Sequence, residues 1–134
     1  LDTNPFIDNL IIYIKFFSLN QDITMTASYI VRYHGNAADK AGFLSHYRES
    51  HAPILRQFPG IGSLVLHHGV DFTDPFPVNP GGNLLIAQMT FDDLPTLNAA
   101  LTSSARAEAR DDFGNFPAFD GEVTHQAFIA ERVF

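Results

Sequence analysis

Thr26-Ala27-Ser28-Tyr29-Ile30-Val31-Arg32-Tyr33-His34, then the break Gly35-Asn36, then Phe43, Leu44, Tyr47, His51, Ile54, Leu55 and Phe58 at helical spacing: this stretch decides how the chain folds. In its first part β-branched and aromatic residues alternate. Tyr29, Val31 and Tyr33 fall on one face and Ser28, Ile30, Arg32 and His34 on the other, the period of two that belongs to a strand. Gly35 and Asn36 are expected to end it. From Asp39 the apolar spacing changes to three and four, which predicts a helix over about 39–57, with Pro53 disturbing it near Ser50 to Ala52 by removing a hydrogen bond and crowding the preceding turn.

Working outward, Phe58-Pro59-Gly60 stops the helix, and Ile61 to Val70 reads as a second strand with Leu64, Leu66 and Val70 opposite Val65 and His67. Asp71 to Gly82 is rich in Pro, Gly, Asp and Asn and reads as a surface loop. Asn83 to Phe91 is the third strand. Asp92 or Asp93 is expected to cap a second helix with Pro95 in its first turn, and Ser103 or Ser104 to start a further helical segment ending near Phe113. Gly121 to Val133 alternates as the fourth strand. The order strand, helix, strand, strand, helix, strand is that of a ferredoxin-like α+β domain, whose helices cover one sheet face and leave the other bare. A second copy of the chain is the expected cover, which makes the domain one half of a homodimer.

Composition supports this and narrows the function. The 134 residues suit one domain, 46% are hydrophobic and only 17% charged, so apolar surface is left for a partner. A formal charge of −7 with eight scattered basic residues disfavours nucleic acid as a partner. No cysteine is present, so a disulfide framework, a zinc finger and a thiol nucleophile are excluded. The run Leu10 to Phe17 is too short, and too interrupted by Lys15, to span a membrane, and no secretory signal pattern is visible, so the chain is expected to be cytoplasmic.

Residues 1–24 differ from the rest. About half of them are Phe, Ile, Tyr, Asn or Lys, and they contain no Ala, Gly, Arg, His, Val or Glu. The break suggests an extension of different origin, with Met25 as the natural start and the domain at 25–134; Asn4, Pro5 and the apolar spacing from Phe6 to Phe17 predict an amphipathic helix at about Pro5 to Ser18 within it.

Phe43-Leu44-Ser45-His46-Tyr47-Arg48-Glu49-Ser50-His51-Ala52-Pro53, followed by Phe58-Pro59-Gly60, resembles the EthD family pattern of an aromatic pair, His-x-Pro and Pro-Gly. The stretch from Ala105 to Phe116, with Asp111 or Asp112, Asn115 and Phe116, is similar to the family's closing segment of the second helix. The resemblance runs from about Met25 to Phe134. It implies a dimeric α+β barrel, two sheets facing each other around small-molecule pockets, with no metal or organic cofactor. The family takes its name from a protein encoded beside an ether-degrading oxygenase system, and is similar to lactone methylisomerases and anthrone-processing enzymes.

His51 is the first candidate for chemistry. Phe43, Tyr47 and His51 stand at successive i, i+4 positions and share an inward face, and an imidazole moves protons near neutral pH, which suits isomerisation or elimination beside a carbonyl. A core histidine that holds the kink before Pro53 is the rival reading. Tyr47 is the candidate partner in catalysis, and Arg32, Tyr33, His34 and His67 are candidate ligand contacts. His67 and His68 are neighbours on a strand and point to opposite faces, so they cannot chelate one ion together. No metal-ligand spacing is present. The expected function is therefore a cofactor-independent isomerase, dehydratase or accessory protein for a small carbonyl or aromatic metabolite. A non-catalytic carrier dimer and a haem-binding barrel are the alternatives.

Overall fold

The computed structural model describes residue 8 and residues 25–134. The expected helix at Pro5 to Ser18 lies outside the described residues. Strand β1 spans Met25–Ala37, and is followed by α1 (Lys40–His46), a π-helical turn (Tyr47–His51) and α2 (Ala52–Leu55). Then come β2 (Ile61–His68), β3 (Asn83–Phe91), α3 (Leu94–Leu101), α4 (Ser104–Asp112), a 3-10 turn (Phe113–Asn115) and β4 (Phe119–Glu131). The four strands form one antiparallel sheet in the order β2-β3-β1-β4, the ferredoxin-like α+β arrangement.

Short side chains set the helix starts. Asp39 accepts from the Gly42 amide at 2.9 Å, Asp93 from Thr96 at 2.8 Å, and Ser103 from Arg106 at 3.3 Å, each satisfying an amide that has no partner within its own helix. Of the alternatives open in the sequence, Asp93 and Ser103 are the caps.

The sheet has two unlike faces. Tyr29, Val31 and Tyr33 of β1, with Leu85, Ala87 and Met89 of β3, are buried beneath the helices together with Phe43, Leu55, Leu97, Ala105 and Ala109. Over the other face, which carries Arg32, His67, Ile86 and Gln88, no described helix lies. Strand alternation alone produces this division, since cross-strand partners such as Tyr29, Met89 and Ala127 point the same way.

Three expectations need correction. Gly35-Asn36 does not end β1, which runs on to Ala37, because Gly35 faces Gly121 of β4 and both adopt positive φ, 143° and 155°. A side chain on Gly35 would strike the Asp120 carbonyl, so this close crossing requires glycine. Val70 falls beyond β2 and is exposed, where the alternation of Leu64 and Leu66 had suggested a continuing strand. The helix over 39–57 is not merely bent near Pro53. It widens into a π turn in which the Ala52 amide reaches back five residues to the Tyr47 carbonyl, which takes up the turn that Pro53, without an N–H, cannot complete regularly.

Candidate functional site

The π turn presents its last residue, His51, inward. Only 3% of His51 is exposed, and its ring is enclosed by Tyr47, Phe113 and Phe116 at centroid distances of 4.9, 5.6 and 5.1 Å. The end of α4 meets it there. Asp112, 7% exposed, places Oδ2 2.8 Å from His51 Nδ1 and 3.0 Å from His46 Nε2, and its Oδ1 accepts from Asn115 Nδ2 at 3.1 Å.

Protonation states follow from the surroundings. Burial works to raise the Asp112 carboxyl, but hydrogen bonds from Asn115, His51 and His46 outweigh it and hold the group below the usual carboxylate range. Asp112 is therefore an anion that can only accept, and both histidine nitrogens touching it are N–H donors. Burial lowers the His51 imidazole despite the opposing pull of Asp112, so His51 is neutral near pH 7. With its proton fixed on Nδ1, its Nε2 carries a free lone pair. Nε2 has no hydrogen-bond partner among the described residues.

A cavity of ≈30 Å³ between helices and sheet is lined by the His51 ring together with Tyr29, Tyr33, Tyr47, Arg106, Arg110 and His125 among others. It has room for about one or two waters, not for a metabolite, so a ligand enters only if its walls move. Burial raises the phenols of Tyr33 and Tyr47 far above their usual range, which leaves them as neutral O–H donors and bars them from taking a proton.

Of the residues singled out in the sequence, Tyr33, Tyr47 and His51 meet at this cavity. Arg32, His34 and His67 do not. They lie on the opposite sheet face, where Arg32 Nη1 donates to Gln126 Oε1 at 3.2 Å, His67 Nε2 pairs with Gln88 Oε1 at 3.0 Å, and the His34 ring lies against Gly82. His46, Asp112, Asn115, Arg106 and His125 were not foreseen as a group. His46 and His51 are five apart, about 140° round a regular helix, and only the π turn brings both onto one carboxylate. Among the described residues no three His, Asp or Glu side chains are disposed to hold a metal ion, and no helix is long and apolar enough to cross a membrane.

The sequence matches no protein-family model and no curated protein. Solved structures do match it. An ethyl tert-butyl ether D (EthD) family protein from Bacillus halodurans shares 22% identity with a TM-score of 0.60, over 77% of this chain and 96% of its own. SnoaB from Streptomyces nogalater, described as a cofactor-independent oxygenase, shares 17% with a TM-score of 0.57 over 81% and 95%. A dimeric ferredoxin-like protein of unknown function from Thermobifida fusca shares 10% with a TM-score of 0.53 over 79% and 92%. At such identities the likeness is one of architecture: this chain carries the ferredoxin-like α+β fold of the EthD proteins.

Proposed function

We propose that the protein acts on a small carbonyl or aromatic metabolite in the cavity beneath its helices, with His51 Nε2 as the base that takes a proton from carbon and returns it elsewhere, a cofactor-independent isomerase or lyase. The observation that carries this is the anchored histidine: Nδ1 tied at 2.8 Å to an ionised, buried Asp112, on a ring that lines the cavity and whose Nε2 has no hydrogen-bond partner among the described residues. The carboxylate fixes the tautomer and stabilises the imidazolium formed in the transfer, which is how a buried acid supports a histidine base. Burial makes the resting ring neutral and so ready to accept. Tyr33 and Tyr47, both protonated and lining the same cavity, serve as donors to a developing enolate oxygen.

The fold shared with a cofactor-independent oxygenase favours a second outcome of the same first step. A carbanion formed on an aromatic substrate can pass its electrons to dioxygen instead of regaining a proton. Incubation with candidate lactones, quinones and phenols in deuterated buffer separates the two: exchange at a carbon position marks proton return, and oxygen uptake marks oxidation. In either case His51→Asn should lose roughly 10²-fold or more of the wild-type activity, and full activity of His51→Asn would overturn both.

The working form proposed is a homodimer, in which the sheet face carrying Arg32, His34 and His67 is covered by a second copy. The bare face and the dimeric description of one protein of the same fold support this. Light scattering should give twice the chain mass, and a monomer at micromolar concentration would overturn it.

A further inference from the structure

We infer that the mouth of the His51 cavity is an anion subsite, in which Arg106 and Arg110 of α4 take a carboxylate of the substrate and turn its body toward His51. This rests on the proposed function, since it names the class of molecule that the site receives. Both arginines line the cavity with His51, and at i, i+4 spacing they project from successive turns of one helix. Ala105 and Ala109, buried beneath that helix, keep α4 close to the sheet, so the two guanidiniums stand at the cavity rim. His125 of β4 lines the same cavity and is exposed.

Acidic residues outnumber basic ones 15 to 8 in this chain, so a partner for a surface arginine is easily found. Among the described residues, however, neither Arg106 nor Arg110 forms an ion pair with a carboxylate. Each is instead parked on an aromatic ring: Arg106 lies 5.5 Å from the centroid of Tyr29 and reaches its hydroxyl at 3.4 Å, and Arg110 lies 5.6 Å from the centroid of Phe113. Such stacking is weak at a partly exposed site and leaves most of the N–H fork unused, and that fork matches a carboxylate two bonds at a time. Burial, then the nearby charges of Arg106 and Arg110, lower the His125 imidazole on the same rim.

The small size of the cavity fits this arrangement. Tyr29 and Arg106 both line the ≈30 Å³ space, so an anion that draws Arg106 off the Tyr29 ring both binds and makes room. Recognition of charge and admission of the substrate become one event.

Benzoate and its neutral isostere benzamide are the probes, titrated calorimetrically into the full chain at low ionic strength. Benzoate should bind at least about tenfold more tightly than benzamide, and added salt should weaken benzoate alone. The preference should vanish in the Arg106→Gln, Arg110→Gln double variant and persist in His51→Asn. Should the double variant misfold, Arg110→Gln alone, at an exposed side chain, should lose part of the preference and Arg106→Lys should keep part of it. Equal binding of the two probes, binding of neither, or a preference that survives removal of both charges overturns the subsite. A preference that persists in a His51→Asn variant with full turnover leaves the subsite standing and removes only the proposed base.

Discussion

The two faces of the sheet carry similar residue types and treat them differently. Each has histidines within reach of polar partners, but on the open face His67 meets a neutral amide, Gln88, and is exposed, whereas under the helices His51 is buried against an ionised carboxylate. Burial and a charged anchor together fix the tautomer and shift the proton affinity of the His51 ring. On the proposed function, the helices place the chemistry and the open face is left for association.

The largest expected difference is in stability. Phe43 is 1% exposed and packs its ring against Tyr33, Phe116 and Phe119 at 5.5, 5.0 and 5.7 Å. Phe43→Ala should cost about 3–5 kcal/mol in urea unfolding, because a cavity opens where three rings converge. Val65, 46% exposed on the other face, should cost within about 0.5 kcal/mol when cut to Ala in the isolated chain. A larger, concentration-dependent loss at Val65 would show that a second copy buries that face.

Next in size is the effect on catalysis. His51→Asn keeps polarity and most of the volume and removes proton transfer, so turnover of the true substrate should fall roughly 10²-fold or more while folding survives. His67→Asn should leave turnover within about twofold. Equal losses at the two histidines would show that both faces contribute to the reaction.

What was legible in the sequence divides along the same line. Strand parity, helix periodicity and turn residues are local, and they gave β3 its observed ends, Asn83 and Phe91, and placed Phe43, Tyr47 and His51 on one inward face. Asp112 is 61 residues from His51, and beside Asp111 it reads as an ordinary helix-end acid. The family resemblance leaves Asp111 and Asp112 as alternatives, and only the meeting of α4 with the π turn gives Asp112 its two histidine partners. His46 was hidden by the assumption of a regular helix. Arg32, His34 and His67 drew notice as polar residues in strands, but parity assigns a face and does not say which face holds the cavity.

The smallest effect, and the one that probes the His51 environment most directly, is the dependence of stability on pH. His51 binds its proton more weakly in the folded chain than in the unfolded one, so the unfolded state takes up more protons as the solution is acidified. The contribution of the buried neutral ring is then fully present above the unfolded pKa, about 6.5, and is lost as pH falls through the lower folded value. His125 is shifted in the same direction, so the comparison to make is wild type against His51→Asn, with His125 common to both. Asp112, held below the usual carboxylate range, adds a second loss at more acid pH, present above its ordinary pKa and removed as pH falls through its folded one. Urea midpoints should therefore decline between about pH 7 and pH 5 more steeply in the wild type than in His51→Asn. If His51 were instead chiefly an ion-pair partner of Asp112, its folded pKa would be raised, and the wild type would gain on the variant as pH fell through 6.5. A gain of that sign would mean a charged resting imidazole, which cannot serve as the base, and the covered face would hold a structural ion pair where a proton acceptor is proposed.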